Sequence, residues 1–477
     1  MFTCRSFDSR RRASSAFVVA AFLALSLLVP ATAQEKTALV GATLIDGTGR
    51  APVPDAIVVI EGDKITAAGP ASSVTVPTGA RVLRLSGKTV LPGLIDTHMH
   101  INGSGGGLVD PREFTPQAAA NNLKAYLKFG VTTVFDIAGN PFLEQQKAAL
   151  ASGKIEGPRL FGVKYGITQP GAHPMGLLEE YKLVDLLGPV YPLVTTVDQA
   201  KAAIAKIAAD KTDGVKIFYS RSAFPGTTSY DSDKEKLSRA VLNTLIEEAH
   251  AKGLRVFGHI AWPSEAREFV EAGGDVLAHN ISMAETGAEE VYQLMAQRNA
   301  ALIPTLAQAE ANYALMIDPY ALEKLRGRVW DVILDSIADR QSVARARLNN
   351  RAYVADVRRS LEISMNNLRR AVRAGVKIAM GTDSGNAGAI HGALASRELE
   401  LMVASGMTPM EAIVAATRNA AEVIGKGETL GTLEAGKLAD LVVIDSDPLR
   451  DIGAMHEVSL VVRGGQVIDP ATLTYQP

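Results

Sequence analysis

Val90–His100 reads VLPGLIDTHMH. An apolar run reaches Ile95, and two histidines spaced by two close the stretch. Successive side chains of an extended strand point to opposite faces, so His98 and His100 share one face. In a barrel that face is the interior. A pair of strand histidines alone more often serves structure than metal binding, so the decision rests on what the rest of the chain supplies.

Seven further runs have the same strand-like texture: GVTTVFDIAG (130–139), PRLFGVKYG (158–166), DGVKIFYS (213–220), LRVFGHIA (254–261), DVLAHN (275–280), ALIPTLA (301–307) and VKIAMGTDSG (376–385). Between them lie helical patterns such as TPQAAANNLKAYLKFG, SRAVLNTLIEEAHAKG and SEAREFVEAGG. Eight β units, each followed by helix, predict an α/β fold of the (β/α)8 TIM-barrel type over 91–429 rather than a doubly wound sheet. The seventh connection, about 70 residues from Leu306 to Val376, must carry extra helices. Residues 34–90 and 430–477 instead show short strands between Gly/Asp turns, as in ALVGATLIDGTG and SLVVRGGQVID. They predict a small β-sandwich built from both chain ends.

The first 33 residues stand apart. Arg5, Arg10, Arg11 and Arg12 precede an apolar run from Ala16 to Val29, followed by Pro30 and Ala31-Thr32-Ala33. This is the pattern of a signal peptide cut after Ala33, which predicts a periplasmic or secreted protein. An apolar run of about 14 residues is short for a membrane span, so no stable anchor is expected. SRRRAS has the arginines of a twin-arginine signal without its usual following residues. Cleavage removes four arginines and one aspartate, taking the formal charge from −2 to −5. It also removes Cys4, the single cysteine, and with it disulfides and cysteine catalysis. With no basic run in the body of the chain, nucleic acid is not an expected partner.

The other strand ends supply company for the histidine pair. His259 ends the fifth run, His279 the sixth and Asp383 the eighth, and Lys216 sits inside the fourth. Strand C-termini are where barrel enzymes build their sites. Four of the chain's eight histidines occupy such positions. Imidazoles and a carboxylate converging on one small volume suit a divalent metal, zinc above all. Lys216 is the odd member, because lysine is almost never buried without a partner for its ammonium.

The order HxH, Lys, His, His, Asp on strands 1, 4, 5, 6 and 8 resembles the amidohydrolase superfamily with a binuclear metal centre. VLPGLIDTHMH, GVTTVFD, TPMEAIVAATRNAAEVIG and LGTLEAGKLADLVVIDSDPL carry the likeness, which covers nearly all of the chain after residue 33. Within that superfamily the chain is most similar to the imidazolonepropionase-like group, which includes Xaa-Pro dipeptidases and ochratoxin-degrading amidohydrolases. The resemblance implies that His98, His100 and Asp383 bind one divalent ion, His259 and His279 a second, and that Lys216 bridges them as a carbamate. An ammonium paired with Asp383 is the competing assignment for Lys216. A bridging lysine argues against imidazolonepropionase activity itself, which uses one metal. Hydrolysis by metal-activated hydroxide follows, with Asp383 moving the proton to the leaving amine.

The resemblance points to small-molecule amide or dipeptide substrates with a C-terminal amino acid, such as proline or phenylalanine, and to ochratoxin A-type amides. Hydrolysis of a cyclic amide or lactone on the same centre is the alternative, and a non-catalytic periplasmic binding protein a second. Four residues are candidates for reading the substrate. His173 lies in GITQPGAHPMG after the third strand, and Tyr219 and Arg221 follow Lys216, where a guanidinium could fork onto a carboxylate. His391, near the start of the helix after strand 8, is placed at the pocket rim or in a structural role. INGSGGGLVD (101–110) has the composition of a flexible lid. Large relatives often assemble, which allows a homo-oligomer, although no interface is legible in the chain.

Overall fold

The computed structural model describes residues 35–103, 114–180, 182–220, 236–311, 313, 323, 325–339 and 349–476. The predicted signal segment, most of the glycine-rich lid candidate and Arg221 lie outside these residues.

The described chain begins in β structure. Strands β1 (Lys36–Leu44), β2 (Val53–Glu61), β3 (Lys64–Pro70), β4 (Arg81–Arg84) and β5 (Thr89–Pro92) come first. Then follow β6 (Leu94–Met99), β7 (Val131–Asp136), β8 (Arg159–Gly162), β9 (Gly166–Ile167), β10 (Val215–Phe218) and β11 (Val256–His259). The remainder are β12 (Val276–Leu277), β13 (Ala301–Leu302), β14 (Lys377–Ile378), β15 (Leu441–Ile444), β16 (Val458–Arg463) and β17 (Gln466–Ile468).

The two chain ends meet in one eight-stranded hydrogen-bonded sheet, ordered β17-β16-β15-β5-β1-β2-β3, with β4 on β1. β15 is antiparallel to β5, pairing Leu441 with Pro92 and Ile444 with Thr89. A separate apolar cluster that includes Leu39, Val58, Ile60, Ile65, Leu441, Val443 and Val462 is buried against this sheet. Arg159 fixes the neighbouring region with a fork onto Asp440, at 2.7 and 3.0 Å.

From β6 to β14 every pairing is parallel. All six residues of β7 are buried, as expected for a strand covered on both faces. β6, β7 and β8 form one sheet and β9 to β14 another. β8 and β9 are two parts of the third predicted strand: Thr133 to Asp136 pair with the first part, and Lys216 and Ile217 with the second. At the opposite edge Thr97 N–H donates to Met380 O at 3.0 Å, and His100 N–H donates to Ser384 O at 2.8 Å. All eight predicted strand runs therefore coincide with described strands.

Helices return the chain between strands. Thr115 caps Pro116–Lys128, Thr196 forms a capping box on Val197–Ala209, and Ser238 caps Arg239–Ala251. The long seventh connection carries the expected extra helices, Leu306–Ala311, Asp331–Ala338 and Arg351–Arg373. Glu398 holds the first of them from outside: its fully buried carboxylate accepts from Leu306 N–H at 3.0 Å and Ala307 N–H at 2.6 Å. No described helix is long and apolar enough to cross a membrane.

Candidate metal centre and active site

Six side chains from five separate segments converge on one cavity at the C-terminal ends of these strands. His98, His100, Lys216, His259, His279 and Asp383 all line it, and its volume is about 920 Å³ with the open mouth included. His98 belongs to β6, and His100 follows one residue beyond it. His259 is the last residue of β11, and Lys216 is the second of β10. His279 lies two residues past β12, and Asp383 five past β14.

Asp383 is held by its backbone. Its φ of +53° is left-handed, a conformation unusual for a non-glycine residue. Its N–H donates to His98 O at 2.7 Å, and Asn386 Nδ2 donates to Asp383 Oδ1 at 3.0 Å. Gly385 allows this loop to close on the first strand, because a Cβ there would lie 2.1 Å from His100 O. Asp383 Oδ1 is then 3.1 Å from His100 Nε2 and 3.5 Å from His98 Nε2, and its Oδ2 is 4.0 Å from His279 Nδ1.

The donor atoms are buried and largely unpaired. His98 Nδ1 and Nε2, His259 Nε2 and Lys216 Nζ are buried without a hydrogen-bond partner. Orphaned buried polar groups are costly in a folded protein, so four together need a compensating ligand. Ligand atoms of His98, His279 and Asp383 lie within 4.8 Å of one another. Burial, reinforced by neighbouring cations and imidazoles, pushes the proton affinities of His98, His259 and His279 well below the ordinary histidine range. Burial also lowers Lys216, to about 7, against the opposing pull of Asp383. His100 is the exception: burial lowers it, but the hydrogen bond and charge of Asp383 prevail and leave it raised. Three imidazoles held neutral, a fourth paired with Asp383, a neutral-prone amine and a carboxylate make a donor set that fits divalent metal.

Behind the donors stand residues not singled out from sequence. Asp96, fully buried, accepts from His98 N–H at 3.1 Å and Thr382 N–H at 3.0 Å, and from Thr382 Oγ1 at 2.5 Å. It thereby ties the first strand to the Asp383 loop. Burial raises it to about 7, despite those hydrogen bonds. Asn102, Asn140 and Gln146 form a buried carboxamide ring, with contacts of 2.7, 2.7 and 2.9 Å. Asn140 Nδ2 also donates to Asp136 Oδ2 at 2.6 Å. A signal for Asp96 was present: it is two residues before His98 and shares its face. The carboxamide ring spans three segments and had none.

The substrate-reading candidates divide. His173 lines the cavity and stacks on His259, with ring centroids 4.6 Å apart. Tyr219 does not line it. Strand alternation turns Lys216 and Phe218 inward and Tyr219 outward, where it is fully buried and donates its hydroxyl to Glu268. His391 is also off the cavity. It precedes the helix Ala393–Ala404, is 2 % exposed, and bonds Gly103 O at 2.8 Å and the Tyr126 hydroxyl at 3.2 Å. Those bonds tie loop to helix. His250 and His456 pair with Asp275 and Glu400, each at 2.9 Å.

Residues 89–468 match the model of the amidohydrolase family. The chain belongs to that family. It is therefore an enzyme of a metal-dependent family, a hydrolase of amide carbon–nitrogen bonds, and the non-catalytic alternative falls. Among curated proteins it is 26 % identical to the ochratoxinase of Aspergillus niger, covering 92 % of this chain and 88 % of that one. It is 25 % identical to the imidazolonepropionase of Geobacillus kaustophilus strain HTA426, covering 82 % and 83 %. Among solved structures, a Xaa-Pro dipeptidase with bound methionine superimposes with a TM-score of 0.71 at 23 % identity, covering 91 % of this chain and all of that one. The fold of this amidohydrolase is thus of the TIM-barrel type.

Proposed function

We propose that this amidohydrolase is exported and uses two divalent ions to cleave the amide joining an acyl or aminoacyl group to a C-terminal amino acid. The observation that carries the reading is the set of buried, unpartnered donor atoms on His98, Lys216 and His259 beside Asp383. His98, His100 and Asp383 would hold one ion, His259 and His279 the other. When bound, the ions, zinc by the donor chemistry, supply Lewis acidity to water and to the scissile carbonyl.

Lys216 would span the two sites as a carbamate. Its neutral Nζ forms a bond to the carbon of carbon dioxide and loses a proton to solvent, leaving an anion with two oxygens. Asp383, held by Asn386 and by its own backbone, takes the proton of the attacking water and delivers it to the leaving amine. His173, stacked on His259, would meet the substrate carbonyl. The backbone links at both edges of the parallel sheets support a closed (β/α)8 barrel over 91–429. Residues 34–90 and 430–477 would form the β-sandwich, and 1–33 a signal peptide. A protein retained in the cytoplasm would contradict the export reading, and one recovered outside it with its first 33 residues intact would contradict cleavage after Ala33.

Dipeptides and N-acyl amino acids varied at the C-terminal residue, ochratoxin A-type amides included, are the test substrates. One observation favours a second reading. Lys216 is the only lysine or arginine among the described residues lining the cavity, so no described cation remains free for a substrate carboxylate. Cyclic amides and lactones without a carboxylate therefore belong in the same screen, and turnover of those alone would replace the carboxypeptidase assignment. Lys216→Ala is expected to bring metal content below roughly one ion per chain, where two ions are proposed. Activity should fall with it, and a short carboxylic acid should partly restore both. Full metal content in the mutant would rule out the bridge.

A further inference from the structure

The cavity has a second face that the chemistry above does not use. Residues 174–180 and 182–191 run along it, with two short helices, Met175–Glu180 and Val184–Leu187, and a 3-10 turn, Gly188–Val190. From this one segment Leu177, Leu178, Leu183 and Leu187 face the cavity, and the phenol of Tyr191 ends the row. Phe218 joins the two faces: its ring centroid is 5.4 Å from that of His259 and 5.9 Å from that of Tyr191.

Tyr191 is placed by missing side chains. A Cβ on Gly139 would lie 2.1 Å from the Tyr191 hydroxyl, and one on Gly166 would lie 2.8 Å from its ring. Gly139 also lines the cavity. The residue is 7 % exposed, yet its hydroxyl bonds to no described residue. A phenol with its apolar body packed into the wall and its hydroxyl at the cavity is placed to donate to a ligand.

We infer that the wall formed by Leu177, Leu178, Leu183, Leu187 and Tyr191 selects the substrate: it takes a bulky apolar group, aromatic or branched, attached next to the scissile amide, while Tyr191 donates to an oxygen of the same molecule. This rests on the amide-hydrolase reading and names the substrate class of that site. An apolar group leaving water against four leucines gains transfer free energy that a methyl or a hydrogen cannot supply.

The test uses the zinc-loaded full chain and four amides that combine a benzoyl or acetyl group with phenylalanine or glycine. At least one aromatic amide is expected to exceed N-acetylglycine in kcat/KM by about tenfold or more, chiefly through KM. Leu187→Asn should shrink that ratio to about threefold or less. Tyr191→Phe keeps the ring and should weaken the aromatic amides about three- to tenfold. Circular dichroism and zinc content would verify that each variant is folded and loaded.

N-acetylglycine matching the best aromatic amide, or a ratio that survives Leu187→Asn, would overturn the inference. Unchanged kinetics in Tyr191→Phe would remove the phenol's part in it. If none of the four is hydrolysed, the carboxyl-terminal amide reading fails separately. The wall is then decided by equilibrium binding of N-benzoylphenylalanine: loss of affinity in Leu187→Asn supports it, and equal affinity refutes it.

Discussion

The two faces of the cavity are built on opposite plans. The polar face draws one or two residues from each of several segments: His98 and His100 from the first strand end, then Lys216, His259, His279 and Asp383 from four others. The apolar face draws its four leucines and Tyr191 from one connection, 174–180 and 182–191, with Ile101, Phe114, Ala138 and Phe218 beside them. A site assembled from many strand ends is held by the backbone of the whole parallel array, so each member is positioned by hydrogen bonds far from the chemistry. A wall contributed by one connection can be rebuilt by altering that connection alone. Chemistry belongs to the distributed face and selectivity to the local one.

Asp383→Asn should produce the largest break in that division. The amide preserves shape and one ligand oxygen but cannot accept the proton, so kcat should fall about 10²- to 10⁴-fold. KM and the preference among substrates should change little, because the wall is untouched. A mutant with altered selectivity and nearly normal kcat would show that the two faces are not separable.

Asp96 tests how the distributed face is held. Asp96→Ala removes the acceptor for His98 N–H, Thr382 N–H and Thr382 Oγ1. Zinc affinity, measured by competition with a chelator, should weaken about 10- to 100-fold, the scale typical of outer-shell support. Asp96→Asn retains an acceptor and should recover part of the loss. Equal affinity in all three proteins would mean that Asp96 does not position the ligands.

The same contrast governs what could be read from sequence. The eight strand runs and the six donor positions were legible because strand periodicity and the β/α alternation fix where a strand end lies and which face a residue takes. His279 and Asp383 fall beyond their hydrogen-bonded strands, yet the run of sequence still brought them to the correct end of the array. The wall was not legible, since Leu177 and Leu187 sit in short helices whose direction depends on tertiary packing, and Leu183 just before the second. The joining of the two chain ends was legible, but not which strands pair, as Val443 with Val90. For His391, near the start of the helix after the eighth strand, the sequence leaves a rim position and a structural role both open. The carbonyl of Gly103 and the hydroxyl of Tyr126, far away in sequence, decide its real place.

Tyr219 gives the finest test, because here period two was available and decides the case. Counting from Lys216, Phe218 falls on the cavity side and Tyr219 on the other. The phenol is fully buried between the strand and the helix Pro263–Glu271, donating to Glu268 and accepting from Lys236 Nζ at 3.1 Å. Tyr219→Phe leaves the Lys236–Glu268 pair in place and removes only the hydroxyl between them. The expected cost is about 0.5–1.5 kcal/mol of stability, seen as a small drop in the denaturation midpoint. kcat/KM should stay within about twofold for every substrate, as for a change remote from the site. A specific rise in KM for carboxylate-bearing amides would instead place the phenol in the substrate's path and reverse the assignment of the two strand faces.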